Sequence, residues 1–329
     1  MKTFISILLM IIMCTACQFD LRKEDASSAN VEIKVSRYDH LQYEATVLNS
    51  VSALQKMNLD FPRATKLLIE DVLVIGNVND AEINERLCAY YSDTVLVRLM
   101  EDALAKYEDM SFIEKGLTNG FKALKKEIPD IPVPKVYSQI SALNQSVVVE
   151  DSLLGFSIDK YMGADYPLYR RYYYDSQLRS MTPDRILPDC FTYYLFSLYP
   201  FHWETGFRTL FDIILYRGKI NWVVRRILDI ESNEELIGYT EEEREWCKKN
   251  KEKLWDWMKM RGHLTSTDPM VIRAYTHPDP NVLFKGEKVP PLIGLWLGTE
   301  LIGEYIKKHP ETSMIELLEQ QDFRELLER

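Results

Sequence analysis

The sequence predicts an α+β protein, mainly helical, with helices around a small antiparallel sheet. Two observations carry this. Apolar residues recur at spacings of three and four over most of the chain, whereas the central stretch 135–158 breaks into short β-favouring runs separated by turn residues. Of the 329 residues, 46% are hydrophobic, enough for one large core or two ordinary ones. No internal repeat and no low-complexity block interrupts 31–329, which reads as a single globular domain.

In chain order, Lys2 gives a positive start and Phe4 to Met13 an apolar run. That run is too short to span a bilayer core, which takes roughly 20 apolar residues in a helix, so residues 1–16 read as a signal peptide. Thr15 and Ala16 place small side chains before Cys17, the expected site of lipidation, although Cys14 stands where an aliphatic residue is usual. Residues 17–30 are polar and rich in Ser and Ala, as a flexible spacer from the lipid would be. Val31, Ile33 and Val35 alternate with Glu32, Lys34 and Ser36, the period of a half-buried strand.

From Leu41 to Glu127 the spacing predicts four or five helices. Asp80 and Ser111 sit where caps belong, and Ser111 with Glu114 has the capping-box spacing. Pro129, Pro132 and Pro134 must end that helical run. Val136, Ile140, Val147 to Val149, Leu153 and Phe156 then predict three strands joined by two hairpin turns, broken at Asn144-Gln145 and Glu150-Asp151. Helices return after Pro183 and fill 183–329. Thr240 with Glu243 opens one through Trp246, Leu254 and Met258, and another covers Pro290 to His309. Gly294 and Gly298 share a face of the latter, which predicts a close helix crossing.

Net charge is −10, and −11 once Lys2 leaves with the leader. Such acidity disfavours nonspecific binding to nucleic acid or anionic lipid, so membrane attachment is expected through the lipid on Cys17. Beyond the leader, Cys88, Cys190 and Cys247 show no zinc spacing and read as free thiols. His40, His202, His263, His277 and His309 form no HxH or HxxxH pair, and no cofactor is expected. There is no P-loop, no G-x-G-x-x-G and no G-x-S-x-G.

One loop concentrates chemistry. Asp159, Lys160, Tyr161, Met162, Gly163, Ala164, Asp165, Tyr166 and Pro167 set two carboxylates, an ammonium and two phenols between a strand and a helix. It reads as a ligand loop or as a structural turn with Gly163 in a left-handed conformation. Asp189 and Tyr193 fall on one face of a predicted helix that also carries Tyr194, and the candidate cleft joins this face, the loop and Trp296. Tyr169, Tyr172, Tyr173 and Tyr174 with Arg170 and Arg171 pack as a cluster or form a glycan- or protein-binding face.

The leader with Cys17, SRYD at Ser36 to Asp39, DKYMGADYP at Asp159 to Pro167, GYTEEEREWC at Gly238 to Cys247 and the closing helix, in this order, resemble the gliding-motility lipoprotein B family of Bacteroidetes. The resemblance covers nearly the whole mature chain. It implies an envelope lipoprotein, on the periplasmic side or at the outer membrane, with an envelope protein as partner and no established catalytic activity. That family is also distantly similar to predicted zinc peptidases of the HExxH type, which implies a metallopeptidase-like scaffold. Here the HExxH positions carry Asp189 and Tyr193, with Cys190 where the glutamate belongs, so ligands and general base are missing. The expected role is therefore a non-catalytic binding or assembly component; the alternatives are a hydrolase using Asp159, Asp165 and Asp189, or a glycan-binding protein.

Overall fold

A computed structural model describes residues 31–201, 208–278, 283–284 and 287–327. The predicted leader, Cys14, Cys17, the spacer to residue 30 and His202 lie outside the described residues.

The mainly helical α+β class holds. Its sheet contains β1 (Val35–Arg37), β2 (Lys135–Gln139), β3 (Val147–Glu150) and β4 (Leu153–Ser157), ordered β1-β2-β4-β3. Contrary to the antiparallel expectation, the sheet is mixed. β1 with β2 and β2 with β4 run parallel; only β3 and β4 form an antiparallel hairpin, around Asp151 at φ 42. After β2 the chain crosses to the far edge, so one hairpin exists where two were predicted. Of the Val31–Val35 alternation only Val35 joins a ladder. The Ile33 and Val35 amides donate instead to Thr118 Oγ1 and Glu114 Oε1, both at 2.9 Å.

Ahead of β2 lie six α-helices rather than four or five: Tyr38–Thr46, Val51–Asp60, Pro62–Lys66, Ile83–Tyr90, Thr94–Lys106 and Ser111–Glu127. The third runs on as a π-helical turn over Leu67–Val72. Asp80 does not cap the fourth, which starts at Ile83; its carboxylate accepts the Asn77 amide at 3.0 Å and closes the preceding turn. The Ser111 box does not close either, because Glu114 is drawn to β1, and the Ser111 amide donates to Asp109 at 2.8 Å. The Thr240 box does close: the Glu243 amide donates to Thr240 Oγ1 at 3.3 Å, and Glu243 Oε2 accepts the Thr240 amide at 2.9 Å. It opens the helix Glu241–Met260.

Two pairs of helices build most of the core that positions the site. Ser111–Glu127 buries Ile113, Leu117, Phe121 and Leu124 on one face. It meets the helix Ile186–Leu198 where a Cβ on Gly116 or Gly120 would overlap Leu187 or the Phe191 ring. Phe121 and Phe191 meet there with centroids 4.8 Å apart and their planes tilted by 51°. Further on, Leu210–Ile227 crosses Ile293–Lys308 at the predicted glycine face: a Cβ on Gly298 would overlap the Ile214 carbonyl, and one on Gly218 the backbone of Gly298. The core is continuous across both pairs and the sheet.

Candidate functional site

β4 delivers the chain into a buried 3₁₀ turn, Ile158–Lys160, so the acidic loop begins inside the protein. Asp159 is fully buried. One carboxylate oxygen accepts the Ser141 amide at 2.9 Å, the other the Leu143 amide at 2.7 Å, and Ser141 Oγ lies 3.4 Å away. Ala142 and Leu143 have φ of 51° and 65°, a left-handed pair whose amides turn towards an anion. Burial raises the Asp159 pKa, while the amides of Leu143 and Ser141 and the Lys160 charge oppose the rise.

Lys160 donates to the Leu143 carbonyl at 3.1 Å and to the Tyr173 hydroxyl at 2.8 Å, with its ammonium over the Tyr173 ring. Burial lowers its pKa, against the pull of Asp159 and Asp189. The Tyr169 hydroxyl donates to the Asp159 carbonyl at 2.5 Å and accepts the Met162 amide at 2.8 Å. Tyr161 donates to Asp189 Oδ2 at 2.8 Å, tying the loop to the helix Ile186–Leu198. Desolvation raises the Asp189 pKa; the Arg185 charge, the Tyr161 hydrogen bond and the Lys160 charge work against it. Gly163 has φ 108°, the left-handed turn expected of it, and its amide donates to the Met181 carbonyl at 2.9 Å.

Asp159, Lys160, Tyr161 and Asp189 are thus linked in one network, whereas other candidates lie apart from it. Asp165 is exposed. Tyr166 points to Asp102, donating at 3.0 Å, and desolvation together with that carboxylate pushes its pKa up to about 12. Tyr193 shares the Asp189 face and is 46% exposed, while Tyr194, one residue on, turns inward against Phe121. Trp296 is buried elsewhere, its indole donating to Glu234 at 2.9 Å. In the tyrosine cluster Tyr169 is buried and Tyr173 half-buried, and Tyr172 and Tyr174 face solvent.

Concave surface lies partly at residues that the motif reading singled out and partly where it did not look. Beside the loop, Val95, Arg98, Asp102, Tyr166 and Arg171 line a shallow cavity of about 350 Å³. Along the helix Glu241–Met260, Trp246, Asn250, Lys253 and Trp257 line another of about 390 Å³, closed by Phe284 and Val289. The tryptophans stand at helical spacing among polar residues, a signal present in the sequence but indistinguishable there from an amphipathic packing face. Among the described residues no three His, Cys, Asp or Glu side chains converge to hold a metal ion. The described cysteines are free thiols; Cys190 and Cys247 are buried and Cys88 is half-buried.

Fold and site together define a mainly helical α+β protein whose acidic loop is cross-linked by hydrogen bonds to the sheet and to a central helix. The chain belongs to the gliding motility protein GldB family, whose model matches residues 20–329. The family marks it as a gliding-motility lipoprotein, with the membrane anchoring that implies. No curated protein and no solved structure matches the chain. Among the described residues no helix is long and apolar enough to cross a membrane.

Proposed function

We propose that this protein is a cell-envelope lipoprotein anchored by acyl chains on Cys17 and acting as a non-catalytic binding or assembly component. One observation carries the non-catalytic part: both Asp159 oxygens hold the backbone of the 141–143 turn. A group so engaged is a structural anchor, because freeing it to act on a substrate would leave a buried and a partly buried amide unpaired. The HExxH positions support the same reading, since the Tyr161 hydroxyl already occupies Asp189, and Cys190 stands where the general base belongs. Two acyl chains suffice for stable anchoring, and an otherwise acidic body needs that anchor. The partner is expected to be another envelope protein.

The test has two arms. Mass spectrometry of the N-terminal peptide should find acyl chains on Cys17, and Cys17→Ser should leave the washed membrane fraction. Purified lipoprotein, with and without added zinc, should leave peptide libraries and isolated envelope polymer intact; turnover that survives Asp189→Asn and Asp159→Asn controls but requires zinc would overturn the reading.

A hydrolytic alternative rests on Asp189. It is partly exposed and desolvation raises its pKa, as an acid catalyst needs, although the Arg185 charge, the Tyr161 hydrogen bond and the Lys160 charge oppose the rise. Polymer cleavage abolished by Asp189→Asn would establish it.

A further inference from the structure

The helix Ser111–Glu127 has an outer face that its core packing leaves open. Phe112, Lys115, Asn119, Lys122 and Lys126 are all exposed and recur at the three- and four-residue steps that stack side chains into one stripe. Phe112 is 70% exposed, beside a row of ammonium groups. No carboxylate among the described residues pairs with Lys115, Lys122 or Lys126. Nearby acids are engaged or terminal. Asp109 caps Ser111, Glu114 holds the Val35 amide and Lys34, Glu32 lies 3.5 Å from Lys34, and Glu127 ends the stripe. On a chain of net charge −10 this is a local reversal of sign.

The stripe lies where the tether arrives. Ile33 is fastened to Thr118 and Val35 to Glu114, on the flank of this same helix. Val31 follows Cys17 by 14 positions, and a chain of that length reaches at most about 50 Å. A lipid at Cys17 therefore holds this face close to the headgroups at high effective concentration. An aromatic ring and aligned lysines are what an interfacial contact uses: the ring enters the headgroup layer while the ammonium groups meet anionic lipid.

We infer that the Phe112–Lys126 stripe is the surface by which the anchored body docks on an anionic phospholipid bilayer. The inference rests on the anchoring reading above. Three lysines near an anionic surface favour the docked orientation on the order of 100-fold, and salt weakens the contact because it acts over about one Debye length.

The experiment is amine footprinting of the intact lipoprotein reconstituted in vesicles of phosphatidylglycerol with phosphatidylcholine, or of phosphatidylcholine alone. Labelling of Lys115, Lys122 and Lys126 should fall at least about fivefold in the anionic vesicles only, and recover in high salt. Lys288, whose side chain is 93% exposed, serves as the unaffected control. In a second arm, Phe112→Ser in the intact lipoprotein should reduce the protection of Lys115, Lys122 and Lys126 in the anionic vesicles without changing its circular dichroism. Equal labelling in both lipids, or protection indifferent to Phe112→Ser, overturns the inference. If Cys17 proves unacylated the anchoring reading fails, whatever the vesicles show; if it is acylated and the footprint is flat, only the docking face fails.

Discussion

Lys219 offers the sharpest test of the packing described above. It sits on the helix Leu210–Ile227, is 1% exposed, and donates to the carbonyls of Leu318 and Gln320, the latter at 2.8 Å. Those carbonyls end the helix Met314–Glu319, so a cation there also meets the negative end of a helix dipole. Burial without a carboxylate partner lowers its pKa from 10.5 to about 8. Between those two values the unfolded chain holds the proton and the folded chain does not, so stability must rise with pH across the window. Below it both states are charged and the buried ammonium is a cost of about 3 kcal/mol. Raising the pH from about 7 to about 9.5 should recover about 2 kcal/mol of this. Urea unfolding of the acyl-free mature chain, followed by tryptophan fluorescence, measures it when the wild type is compared with Lys219→Met at both pH values. Every other titration cancels in the difference, and so does the loss of two carbonyl partners. The gap should move by about 2 kcal/mol in favour of the wild type; a gap constant within about 0.5 kcal/mol would refute the burial argument.

Gly298→Ala should cost about 2–3 kcal/mol in a thermal melt, because its Cβ meets the Ile214 carbonyl and helix backbones cannot give way as side chains do. Gly303→Ala, whose nearest neighbour is Trp222 at 3.9 Å, should be neutral or slightly stabilising, which separates crowding from helix propensity. Asp159→Ala should lose roughly 2–4 kcal/mol and speed amide exchange at Ser141 and Leu143, since the one amide stays buried and the other partly buried without an acceptor.

What was legible in the sequence follows from the range of the forces involved. Thr240 and Glu243 cap each other as read because both partners lie within one turn and nothing competes. Ser111 and Glu114 have the same spacing, yet Glu114 finds the Val35 amide and Lys34, which arrive from far along the chain. The glycine crossing was readable because small residues at one helical face have few other uses, and Gly218 completes it from the partner helix. Sheet order was not readable: Ser36 pairs with Tyr137, and no local pattern around either residue encodes the other. The loop's composition singled out Asp159, Lys160 and Tyr161, and the candidate cleft joined them to Asp189, but neither indicated what they hold. That depended on the left-handed pair Ala142 and Leu143, whose sequence gives no turn signal.

The two exposed faces discussed above are compatible in one molecule. On the helix Ile186–Leu198, Leu187 and Phe191 turn towards the helix Ser111–Glu127. Asp189 and Tyr193 lie about half a turn away from them, on the side facing away from that neighbour. Docking through Phe112 and the lysines therefore covers the outside of one helix and leaves the exposed Tyr193 of the next uncovered, while Asp189 stays tied to the buried Tyr161. The proposed docking and any partner contact made through Tyr193 can accordingly be separated by mutation: substitutions in the lysine stripe should change orientation on the membrane while leaving capture of an envelope partner intact, and Tyr193→Ala should do the converse. Loss of both properties from either set of changes would mean that one surface serves both, contrary to the packing of these two helices.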